Sequence, residues 1–172
     1  MIEGPSNLRR PRAERRGTGN RRNRWLLSLG LAWALTGCVG WRPAPVDLAD
    51  PAWNARRGQA VWHPADRDIE LAGEWLGATA ADGRGYVQFS KSPMLLAEVR
   101  VGPGRWSASF PFMRRRFQGV GAPPGRLVWA QWIRVASGQE PEAGWSFTGD
   151  LASGWRLEHA RSGEWLEGVA EP

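Results

Sequence analysis

From Ile69 the chain alternates, with Ile69, Leu71, Gly73 and Trp75 on one face and Glu70, Ala72, Glu74 and Leu76 mainly on the other. A period of two with one half-wet face predicts an antiparallel strand packed on one side only. Ala81-Asp82-Gly83 is a turn signal, and Gly85 to Lys91 returns as a second strand with Val87 and Phe89 on one side, broken by Ser92-Pro93. Met94 to Val101 and Arg105 to Phe112 predict a hairpin around Gly102-Pro103-Gly104. Its second strand sets Trp106, Ala108, Phe110 and Phe112 against Ser107 and Ser109, the cleanest alternation in the chain. Gln118 to Gly125 reads as a glycine and proline loop. Near the end, Trp145 to Thr148 and Gly154 to His159 read as short strands, and Arg161-Ser162-Gly163 turns the chain into Glu164 to Val169.

One segment changes period. Val128, Trp129, Trp132, Ile133 and Val135 recur at offsets of an amphipathic helix from Arg126 to Ala136, stopped by Ser137-Gly138. Trp and Val are mediocre helix formers, so an alternating strand is the alternative there. Strands in excess and a single helix predict a mostly β fold, a curved antiparallel sheet or half-open β-barrel with the helix packed across its concave face. A small closed barrel is the rival, because closure removes edge strands.

The start of the chain has another character. Arginines crowd the first 24 residues against only Glu3 and Glu14, and Trp25 to Thr36 then carries no charge. That is a basic region followed by an apolar run too short for a membrane span, which needs about 20 helical residues. The run closes on Leu35-Thr36-Gly37-Cys38, which resembles the lipobox of bacterial lipoprotein precursors. The resemblance implies that residues 1–37 are a removed signal peptide and that Cys38, the lone cysteine, is the lipid attachment site. One acyl chain holds a protein only marginally, at about 0.8 kcal/mol per buried carbon, so two or three chains make the anchoring lasting. Val39, rather than aspartate, follows the cysteine, which implies an outer-membrane location facing the periplasm. Arg21-Arg22-Asn23-Arg24-Trp25-Leu26 also looks like a loose twin-arginine signal, with the aromatic position displaced by Arg24. Residues 38–58, with Pro43, Pro45 and Pro51, read as a lipidated tether, and residues 59–170 as one β-rich domain.

Processing changes the charge argument. The whole chain carries a formal +6, which raises nucleic acid as a partner. Residues 1–37 hold eight arginines and two glutamates, a net +6, so the remainder is neutral and no nucleic-acid partner is expected. Lys91 is its only lysine, and no lysine-rich stripe tracks a phosphate backbone. With Cys38 acylated, no disulfide remains, and tryptophans such as Trp75, Trp106 and Trp129 are the conspicuous core material.

Little in the sequence predicts catalysis. His63 and His159 are the only histidines, with no spacing suited to zinc, and Asp66, Asp68 and Glu70 lack the glycine and closing glutamate of a calcium loop. His159 can be imagined beside Ser107, Ser109 or Ser146, but no nucleophile elbow precedes a helix. Glu164 and Glu167 fall on opposite faces of a strand, unsuited to paired acid and base work. No enzyme, cofactor or metal is expected.

Binding residues are easier to nominate. An apolar ligand would be lined by Trp106, Phe110, Trp129 and Ile133, with Trp132 at the mouth. Arg114, Arg115 and Arg116, flanked by Phe112 and Phe117, suit contact with lipid phosphates or an acidic partner, or else protect a strand edge by charge. An acylated cysteine, a tether, hairpins and tryptophans beside a short helix resemble the outer-membrane lipoprotein-localisation proteins, whose half-open barrel shelters acyl chains. The closing stretch from Trp155 to Gly168 is similar to the final hairpin of uncharacterised bacterial lipoproteins of that shape. The resemblance covers roughly residues 59–169 and implies a membrane-anchored, non-enzymatic binder or carrier of a lipid or acyl chain. The alternative is a structural or assembly lipoprotein with a filled core and an envelope protein partner.

Overall fold

Alternation of side chains becomes a single antiparallel sheet in the computed structural model, which describes residues 45–172. The strands are β1 (Trp53–His63), β2 (Leu71–Ala80), β3 (Gly85–Lys91), β4 (Met94–Gly102), β5 (Arg105–Phe110), β6 (Arg115–Val120), β7 (Trp145–Asp150), β8 (Gly154–His159) and β9 (Trp165–Ala170). A 3-10 turn at Pro111–Met113 separates β5 from β6, and the helix α1 (Val128–Ala136) follows β6. The order across the sheet is β6-β5-β4-β3-β2-β1-β9-β8-β7, leaving β6 and β7 as edges, so the sheet is mostly β and not closed.

The sheet must curl. Trp62 of β1 lies 5.9 Å from Phe110 of β5 although β2, β3 and β4 stand between them in the order. The right-handed twist of strands generates such curvature, and inward aromatic side chains fill the hollow.

The helix covers that hollow with Val128, Trp129, Trp132 and Ile133, all buried. It can approach because two strand positions facing it lack a side chain. A Cβ at Gly77 would overlap the Trp132 ring, and one at Gly85 would overlap Ile133. Trp132 then meets Trp75 at 4.9 Å, and Trp129 meets Phe89 at 4.9 Å. The indole nitrogens of Trp129, Trp132 and Trp155 are buried without hydrogen-bond partners, among tilted or edge-on aromatic neighbours. Ring faces are weak acceptors in such packing. At its end α1 is stopped by Ser137, whose hydroxyl donates to the Ile133 carbonyl at 2.8 Å, and by Gly138 at φ +77°.

Two strands lie where sequence reading placed tether and loop. β1 starts at Trp53, within the stretch read as tether, and Trp53 to Gly58 pairs residue by residue with Ala80 to Trp75. Asn54, Ala55, Arg56 and Arg57 are all exposed, so this half of the strand rests on its backbone ladder and shows no apolar alternation. β6 occupies the arginine run and part of the expected glycine loop, and its residues are exposed except for the partly covered Gly119. Cys38 and the expected signal peptide, residues 1–37, lie outside the described residues. No helix among the described residues is long and apolar enough to cross a membrane.

Candidate functional site

The hollow is filled beneath the helix but open at one end. There, β5 turns Trp106, Ala108 and Phe110 inward, facing Gly119, Phe117 and Arg115 of β6. Gly119 allows the Trp106 ring to lie across it, and Phe110 and Phe117 meet edge to face at 6.3 Å. Trp62, next to the end of β1, stands on the far side, and Leu127 and Val128 bring the start of α1 over the top. Together they bound a cleft of about 340 Å³. Mostly apolar walls with a few polar groups are the usual make-up of a ligand site.

Four charged residues share the lining: Asp66, Arg115, Arg126 and Glu164. Glu164 is placed by parity. Leu166 pairs with Trp62 on the concave face, and two residues earlier Glu164 points the same way. Its backbone is pinned by His159 N–H donating to its carbonyl at 2.8 Å, while its own N–H donates to the Ser162 hydroxyl at 3.3 Å. The Trp62 indole N–H donates to Glu164 Oε1 at 3.0 Å. Burial pushes the Glu164 carboxyl up to about 7 and the charge of Asp66 adds to the rise, while the Trp62 bond opposes it.

Arg57, Arg84, Arg100, Arg134 and Arg156 have carboxylate partners at other places on the domain. Arg114, Arg115, Arg116 and Arg126 have no ion pair among the described residues, and neither do Arg56, Arg105, Arg161 and Arg67, the last with its guanidinium 5.7 Å from the Phe112 ring centroid. Arg114 holds a left-handed backbone at φ 53°, an uncommon conformation for a residue with a Cβ. Arg115 and Arg116 then open the edge strand, opposite Phe110 and Ser109.

Of the residues nominated from sequence, Trp106 and Phe110 line the cleft and Arg115 stands at its edge. Trp129, Trp132 and Ile133 do not. They are pressed against the sheet, at 1%, 1% and 4% exposure, because Gly77 and Gly85 let the helix close on it. Trp132, expected at the mouth, is core. The groups missed were Trp62, Asp66, Arg126 and Glu164; counting back in twos from Leu166 would have found Glu164.

The histidines stand apart from the cleft lining. His159 Nδ1 is 2.8 Å from the Ser162 hydroxyl and accepts the Ser162 N–H at 3.2 Å, an arrangement that closes the β8–β9 turn rather than joining Ser107, Ser109 or Ser146. His63 stacks on Trp165 at 5.7 Å. Glu167 faces away from Glu164 and pairs with Arg156 at 2.9 Å. Among the described residues no His, Cys, Asp and Glu group is arranged to hold a metal ion. A more open depression of about 430 Å³ lies over the glycine-rich seam of β1, β2, β8 and β9, where the only charged lining group, Glu167, is already paired.

No protein-family model matches the chain. A search of curated proteins likewise finds no match.

Proposed function

We propose that the protein is a membrane-anchored lipoprotein, attached through Cys38 and facing the periplasm from the outer membrane, that binds or carries an apolar ligand such as a lipid or acyl chain. The observation supporting this reading is the cleft itself: aromatic side chains of β1, β5 and β6 around a void at the open end of an unclosed sheet. Unpaired arginines beside that opening suit lipid phosphates, to which guanidinium forks bind well. The role is non-enzymatic.

The filled helix–sheet interface favours a second reading, a structural or assembly lipoprotein that engages an envelope protein through its surface. One experiment separates them. The full chain carrying Cys38→Ser, purified without detergent, is extracted with organic solvent and the extract examined by mass spectrometry. The carrier reading expects bound lipid, lost in Ala108→Phe, which fills the cleft floor. A folded protein with no lipid in either form supports the assembly reading. Incorporation of a palmitate analogue, abolished by Cys38→Ser, tests the anchor.

A further inference from the structure

The charges of the cleft are sorted by side. Asp66 follows β1 and Glu164 precedes β9, two strands that pair directly, so the carboxyls come from one wall. The charge of Asp66 adds to the rise of the Glu164 carboxyl's pKa, as expected of like charges on one wall. Asp68 and Glu70 continue the acidic loop beyond the cleft. Arg115 stands on β6, at the sheet's edge, and Arg126 just ahead of α1, so the guanidinium groups come from the other wall and from above. Arg114 and Arg116 flank Arg115, and the exposed Arg67 leans from the acidic loop toward Phe112 on this basic side. The start of α1 has no side-chain cap and no acid in its first turn, which adds positive potential over the same wall. Trp62, Phe110 and Val128 supply apolar lining alongside these charges.

We propose that this cleft selects a phospholipid whose head carries both a phosphate and a primary ammonium, the phosphate toward Arg115 and Arg126 and the ammonium toward Asp66 and Glu164. The proposal rests on the apolar-cleft reading and adds the head group to it. A purely anionic head would leave the acidic wall unmatched, and a purely cationic one the basic wall. Placing unlike charges on opposite walls rewards the zwitterion and penalises both alternatives. Charge-assisted hydrogen bonds from an ammonium to carboxylates and from guanidinium to phosphate give the recognition its geometry.

The test titrates the full chain carrying Cys38→Ser, by calorimetry, with lysophosphatidylethanolamine and lysophosphatidylglycerol of equal chain length below their micelle concentrations, and with free phosphoethanolamine. The ethanolamine lipid should bind about ten-fold tighter than the glycerol lipid, a difference of about 1.4 kcal/mol. Asp66 is exposed, so Asp66→Asn should fold normally and remove that preference while leaving the glycerol lipid bound at least as well. Arg115→Gln should weaken both lipids. Equal or tighter binding of the glycerol lipid, or an Asp66→Asn variant that keeps the preference, overturns the proposal. Phosphoethanolamine binding as tightly as the lipid would identify a soluble head group as the ligand and overturn the lipid assignment. Failure of every lysolipid to bind a folded protein rejects the apolar-cleft reading itself, and the head-group assignment with it.

Discussion

The Trp132 ring rests on the backbone of Gly77, where a Cβ would overlap it. This contact sets how deeply the helix sits in the sheet, and so how much of the hollow remains as a cleft. Both partners are buried aromatic core or strand backbone, with no flexible chain end to yield. Gly77→Ala should therefore destabilise the domain by about 1–3 kcal/mol through overpacking. Urea denaturation measures it, with Gly102→Ala as the control. A Cβ at Gly102 meets only the Arg105 carbonyl at 3.9 Å, so that variant should stay within about 0.5 kcal/mol of the parent.

Stability should fall as pH rises through the range in which Glu164 ionises. Its folded-state value of about 7 lies above the ordinary 4.5, so between the two the folded chain holds more protons than the unfolded one. Linkage then gives a loss of stability from pH 4.5 toward 7, levelling above it, with an upper bound of about 3 kcal/mol. Asp66 from the β1–β2 loop, Arg115 from β6 and Arg126 ahead of α1 are the other charged groups lining the cleft. Glu164→Gln should flatten the slope in denaturation curves taken across this range; an unchanged slope would assign it to other groups.

Trp62→Phe removes the indole N–H but keeps most of the ring. Because that N–H stabilises the ionised carboxylate, its loss should move the Glu164 titration upward. Carbon-detected NMR of the labelled carboxyl reads the change directly. Trp62→Ala should cost about 3–5 kcal/mol, since the ring packs against Phe89, Phe110, Phe112 and Trp129.

Arg114 is strained where glycine would not be. Arg114→Gly should raise stability by up to about 1 kcal/mol, because the left-handed backbone costs a residue with a Cβ about that much. The same change should weaken salt-sensitive binding of the full chain with Cys38→Ser to phosphatidylglycerol vesicles, measured by co-sedimentation. Gain in one assay and loss in the other would mark an arginine held for its charge.

How much of this was legible depended on whether side chains or backbone carried the structure. The β4–β5 hairpin, β8 and the helix were readable because burial on one side enforces a period of two or of 3.6. No part of β1 was read as a strand, nor most of β6; exposed Asn54 to Arg57 and Arg115 to Gln118 leave no apolar rhythm, and the short Ala60–Trp62 alternation went unused. In the cleft, Trp106 and Phe110 followed from alternation on β5. Trp129, Trp132 and Ile133 were legible as one buried helix face, but whether they bordered a void depended on Gly77 and Gly85 across the sheet. A glycine in a strand signals close approach without naming the partner. Glu164 was obscured by being weighed as an acid–base partner of Glu167, when its parity with Leu166 already placed it inside.

Pairing of β1 with β9 joins the first strand of the domain to the last, with β1 central in the finished sheet. On a growing chain, one side of β1 therefore stays bare until β9 has emerged from the ribosome, and the wall holding Asp66 and Glu164 forms only then. Contacts of such sequence separation fold slowly. Loss of β9 would expose Trp62 and the long edge of β1, turning a local deletion into an aggregation defect.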